Sequence, residues 1–134
     1  MTDSTPVKRP RPLSPHLQIY APQMTMAWSI LHRITGVGLV VGLAVLSAVI
    51  IFAATDARSF NQLMAFFATP FGLVIIAGFV VAKAYHFCAG IRHLIFDTGA
   101  LLELKQAYAA GYAVLIGTVI LTVAVMALIC QQLA

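Results

Sequence analysis

Four histidines and a few cations carry most of the chemistry available to this chain. His86 and His93 stand seven residues apart in one apolar stretch. On a helix they share a face, separated along it by roughly 10 Å. Gly90, at i+4 from His86, gives that face a bare patch where a flat ring can approach the backbone. Arg92 points away from this face and reads as a basic side chain snorkelling to lipid headgroups. A second apolar stretch holds Ser29, Arg33 and Gly36 on one stripe, with His32 and Gly36 forming another pair. An ionisable residue in a membrane helix costs a few kcal/mol on insertion scales, so each needs a reason. A neutral imidazole in a bilayer is a good axial donor to haem iron, which favours nitrogen. Haem propionates would then need cationic or hydrogen-bonding partners near the interface, where His32, Arg33 and His93 are available. An equally weighted reading makes His86 a hydrogen-bonding link between helices. Residue types and spacing leave both readings of His86 open. Lys83, one turn before His86, fits snorkelling or pairing with a partner subunit. Ser29 fits back-bonding within its own helix.

Other site chemistries find no support. There is no HExxH, no carboxylate cluster, no Cys/His set with zinc spacing and no G-x-S-x-G elbow. Cys88 and Cys130 lie in different apolar stretches and read as small buried hydrophobes. With no CxxCH, a haem here would not be covalently attached.

The elements that must position these residues follow from composition. Of 134 residues, 61% are hydrophobic and 9% charged, and the mean hydropathy is +0.96. A soluble chain this short could not bury that much apolar surface, so lipid is its natural solvent. The net charge of +4 comes without a basic stripe, which argues against nucleic acid. The expected fold is all-α, an integral membrane protein with three transmembrane helices over approximately 26–54, 71–94 and 109–130. About 20 residues at 1.5 Å rise cross a hydrocarbon core of roughly 30 Å. Residues 1–25 form a separate polar, proline-rich N-terminal segment, and 26–134 the membrane domain. The stretch from Thr55 to Pro70 reads as a connector with an apolar, interface-seeking end. The third span has Tyr112 as its one ionisable side chain and reads as plain packing.

Lys8, Arg9 and Arg11 before the first span, with Arg92 and Lys105 after the second, place the N-terminus in the cytoplasm. His32 and Arg33 then share a depth with His86, Arg92 and His93, so polar groups distant in sequence gather at one end. The N-terminus has neither a signal-peptide core nor a transit-peptide pattern, so the first span is expected to direct insertion.

Two stretches carry a resemblance. RPLSPHLQIY with SILHRITGVG, over Arg11–Tyr20 and Ser29–Gly38, resembles the N-terminal signature of the succinate dehydrogenase cytochrome b membrane-anchor family. YHFCAGIRHLIFDTG, over Tyr85–Gly99, resembles that family's H-x-x-x-G-I-R-H-L-x-x-D motif. Order, spacing, span number and length match over essentially the whole chain. The resemblance implies a two-subunit helical bundle around haem b, within a complex that also contains a flavoprotein and an iron–sulfur subunit. It implies that His86 is an axial haem ligand, the other ligand coming from the second membrane-anchor subunit. It places His32, Arg33 and His93 around the propionates, and Ser29 and Arg33 at a ubiquinone-reduction site. A quinone gaining electrons develops negative charge on its oxygens, which a hydroxyl and a guanidinium would stabilise. The chain would thus serve succinate:ubiquinone oxidoreductase without catalysing the dehydrogenation. The resemblance assigns no role to Lys83. The expected location is a bacterial inner membrane rather than a mitochondrial one, with the proline-rich leader as a docking strip for partners. Two alternatives are a self-sufficient small b-type cytochrome and a non-redox membrane transporter or assembly protein.

Overall fold

The computed structural model describes residue 21 and residues 23–133. The N-terminal segment, with Lys8, Arg9, Arg11 and the first half of the N-terminal signature, lies outside the described residues. Four helices follow one another: α1 Met24–Thr55, α2 Ala57–Phe67, α3 Pro70–Asp97 and α4 Leu104–Leu133. Three of them, α1, α3 and α4, are long and apolar enough to cross a membrane. The architecture is all-α, with no strand among the described residues.

The connector over 55–70 is not irregular. Its residues 57–67 form α2. Asp56 caps this helix, its carboxylate accepting the Arg58 N–H at 3.0 Å and the Ser59 hydroxyl. The Ser59 hydroxyl, then the backbone N–H groups of Ser59 and Arg58, hold the Asp56 carboxyl below its ordinary value. Thr69 caps α3 in turn, accepting the Gly72 N–H at 3.1 Å, with Pro70 in the first turn where its missing N–H costs nothing. The α2–α3 turn is so tight that a Cβ on Gly72 would run into the backbone of Phe66 and Phe67. The helices also outrun the expected spans. Nothing stops α3 at residue 94, because Ile95 and Phe96 continue the apolar run. It ends instead at Thr98 and Gly99, whose φ of 82° favours glycine.

α3 is the central element, packing on both α1 and α4, while α1 and α4 touch least. Among the described residues the buried hydrophobic side chains are Trp28, Ala84, Tyr85, Ala89 and Val114, with Arg92 and Thr118 as buried polar residues. Small residues let the helices approach closely, as expected where lipid replaces water and packing rather than hydrophobicity drives association. A Cβ on Gly111 would run into the Trp28 ring. Outward faces are apolar; Val37 and Val40 on α1 are each 68% exposed in the isolated chain.

Candidate functional site

Trp28, His32 and Thr35 follow i, i+4, i+7 spacing on α1, so they form one stripe facing α3. α3 answers with two stripes, each of heptad spacing: Tyr85 with Arg92, and His86 with His93. The register between them is set by α1 carbonyls that accept side chains from α3. The Tyr85 hydroxyl donates to the Trp28 carbonyl at 2.9 Å. One residue on, and one helical turn along α1, His86 Nδ1 meets the His32 carbonyl at 3.2 Å.

Three imidazoles gather at this contact. The His32 and His86 rings stack at 4.1 Å between centroids with planes 12° apart. His93 lies 4.9 Å from His32, tilted by 44°. His32 thus contacts both other rings, and its Nε2 is buried without a hydrogen-bond partner. Stacked rings direct their nitrogen lone pairs along the ring planes rather than at each other. Among the described residues no three His, Cys, Asp or Glu side chains are grouped to hold a metal ion.

The oxygens around His86 favour one tautomer. A carbonyl only accepts, so the contact to His32 requires a proton on His86 Nδ1. Thr35 Oγ1 lies 3.3 Å from the same nitrogen. Its own proton points to the carbonyls of Leu31 at 2.8 Å and His32 at 3.0 Å, so toward His86 it too can only accept. A neutral His86 thus keeps its lone pair on Nε2, the donor position for a metal. Gly36 lets the ring lie close, since a Cβ there would come within 3.1 Å of His86 Cε1. Gly90, one turn along α3, has nothing within 4 Å of where its Cβ would be. The face expected to be bare is open.

The other expected site residues distribute differently. Ser29 is half-buried beside Trp28, and Arg33 is exposed and joins none of the ring contacts. Lys83 is exposed as well. Arg92 departs from the snorkelling expectation: it is buried, only 8% exposed. Its guanidinium lies 4.5 Å from the Phe96 ring centre and 5.3 Å from that of Trp28. One of its terminal nitrogens donates to the Ala107 carbonyl at 3.3 Å. Ala107 lies in the first turn of α4, and its carbonyl together with the Phe96 and Trp28 rings holds the cation inside the bundle rather than at the headgroups. The aromatic faces supply cation–π attraction in place of water.

α4 does more than pack. Tyr108 and Tyr112 meet Trp28 edge to face at 5.8 Å and 5.6 Å. Trp28, Tyr85, Thr35 and Ala107 are thus parts of the site that residue-by-residue reading passed over. A signal was present: Tyr85 and Arg92, like Trp28 and Thr35, recur at seven residues, the same spacing that singled out His86 and His93.

The sequence of this chain is similar to that of known proteins. The pattern of the succinate dehydrogenase/fumarate reductase transmembrane subunit family matches residues 7–125. The succinate dehydrogenase cytochrome b556 subunit of Paracoccus denitrificans is 38% identical over 113 residues, covering 84% of this chain and 87% of the relative. The cytochrome b556 subunit of Rickettsia conorii is 39% identical over 113 residues, covering 84% and 88%. The cytochrome b560 subunit of Marchantia polymorpha is 38% identical over 112 residues, covering 78% and 80%. On these matches the chain belongs to the succinate dehydrogenase/fumarate reductase transmembrane subunit family.

Proposed function

We propose that this chain is the membrane-anchor subunit of a succinate:ubiquinone oxidoreductase, binding haem b through His86 together with a second anchor subunit. The observation that carries the proposal is that His86 Nδ1 faces two oxygens, the His32 carbonyl and Thr35 Oγ1. A proton shared with them would leave Nε2 available as a ligand to iron. Gly90 leaves the α3 face one turn from His86 open, and His32 Nε2 has no hydrogen-bond partner within the chain. Haem b, when bound, supplies one-electron redox chemistry. His32, Arg33 and His93 provide the propionate environment. Because His32 stacks flat on His86, the pair does not present two nitrogens to one iron. That favours a ligand from the partner anchor over a self-sufficient cytochrome.

Ser29 and Arg33 are assigned to ubiquinone. Arg33 projects from α1 rather than into the bundle, where it can meet a quinone held between this chain and its partners. Its charge and the Ser29 hydroxyl would stabilise the oxygen that gains negative charge on reduction. The flavoprotein and iron–sulfur subunits complete the complex on the cytoplasmic side, where the N-terminus lies, in a cell inner membrane.

In the intact complex, Arg33→Ala depresses quinone reduction while succinate oxidation by a soluble dye continues. Unchanged quinone kinetics would remove the quinone assignment.

A further inference from the structure

We infer that Thr35 is a positioning residue for His86, setting both the ring plane and the donor strength of Nε2; the inference rests on the haem reading above. Thr35 comes three residues after His32 and faces α3 from the same side. Its β-branched side chain has few χ1 options in a helix, and back-bonding to Leu31 and His32 at 2.8 Å and 3.0 Å selects one. That choice commits the hydroxyl proton to the helix and turns oxygen lone pairs toward His86 Nδ1, 3.3 Å away.

The His32 carbonyl, at 3.2 Å, would by itself fix where the proton sits. The Thr35 oxygen adds a second acceptor, and two acceptors with the stacked His32 ring determine the imidazole orientation as well. Lipid-facing surroundings offer no water to replace either contact, so each is expected to matter more than on a wet surface. A better-accepted Nδ1–H pushes electron density to Nε2 and raises its basicity as a ligand. That favours the ferric form over the ferrous one. Removing the Thr35 oxygen therefore moves the haem midpoint potential positive and loosens the haem. Outer-shell partners of this kind are worth 10–100-fold in affinity.

The test compares Thr35→Val, Thr35→Ala and Thr35→Ser in the intact complex. It reads the haem midpoint potential by redox titration and haem retention against apomyoglobin as acceptor. Thr35→Val and Thr35→Ala are expected to shift the potential positive and weaken retention by about tenfold or more. Thr35→Ser keeps the acceptor and stays with the parent protein. Unshifted potential and retention in both hydroxyl-free variants would overturn the inference. So would a Thr35→Ser protein that deviates as far as Thr35→Val. Loss of assembly in both hydroxyl-free variants, with Thr35→Ser intact, would show that the hydroxyl serves helix association rather than the haem ligand, and overturns it too. His86→Ala separates the two levels. Haem lost there but indifferent to Thr35→Val and Thr35→Ala removes only the Thr35 role, whereas haem kept there removes the haem reading itself.

Discussion

A single imidazole nitrogen decides what His86 can be. As a link between helices it needs only some partner; as a ligand it needs the right nitrogen left free. Its two contacts both accept, so its Nδ1 is occupied and its Nε2 is free. His86 and its histidine neighbours were legible from residue type and spacing. Thr35 was not, because a helical threonine ordinarily satisfies itself within its own turn. Its third contact exists only through the α1–α3 register, which no local pattern states. Arg92 misled for a similar reason: basic residues near helix ends usually reach the headgroups, and only the approach of α4 supplies Ala107 and the aromatic rings. That site makes a residue-level prediction. Arg92→Lys keeps the charge but loses the planar stack, so it should lower thermal stability, whereas a snorkelling arginine would tolerate lysine. Cation–π attraction at a desolvated site is worth about 2 kcal/mol. A melting temperature unchanged from the parent in detergent would show that the guanidinium contacts carry no stability.

Helix approach is controlled by glycines whose environments differ sharply. Gly111 lies against Trp28, so Gly111→Ala forces the α1–α4 contact apart and should cost about 1–3 kcal/mol, as overpacking does. Gly90→Ala meets nothing, and should leave the stability of the chain near that of the parent. Equal thermal stability of the two variants would contradict this packing. α2 gives a separate prediction with a pH sign. The folded Asp56 carboxyl is held below its ordinary value by Ser59, first through the hydroxyl. A depressed carboxyl contributes stability that is present above its unfolded value, about 3.9. The contribution is lost as pH falls through the lower folded value. Hydrogen exchange at residues 57–60, corrected for intrinsic rates, should accelerate on acidification below about pH 4. Asp56→Asn, which still accepts but does not titrate, should remove that dependence. α2 itself escaped the sequence because an eleven-residue helix, apolar on one face only, is short enough to pass for a connector. Its cap depends on the turn chemistry of Asp56 and Ser59 rather than on apolar period.

At the scale of the whole molecule, three spans were evident from apolar length alone, and the all-α class with them. What length could not convey is how little of the chain buries itself. Among the described residues five hydrophobic ones make the buried core, while α1 leaves Ile34, Val37, Val40 and Val41 at least 60% exposed. In a membrane such faces meet lipid or other helices, and the haem proposal requires that one of those helices bring the second ligand. The two sequence signatures make sense only at this scale. Residues 29–38 of the first lie at one end of α1 and the second at one end of α3, and the two helices run so that these ends meet.

The central claim is that His86, and no other histidine of this chain, ligates the haem. Its most direct test is the reduced-minus-oxidised absorbance spectrum of the intact complex carrying His86→Ala or His32→Ala. The b-type band should disappear with His86→Ala and persist, with an altered potential, in His32→Ala. A band retained in His86→Ala and abolished in His32→Ala would contradict the account.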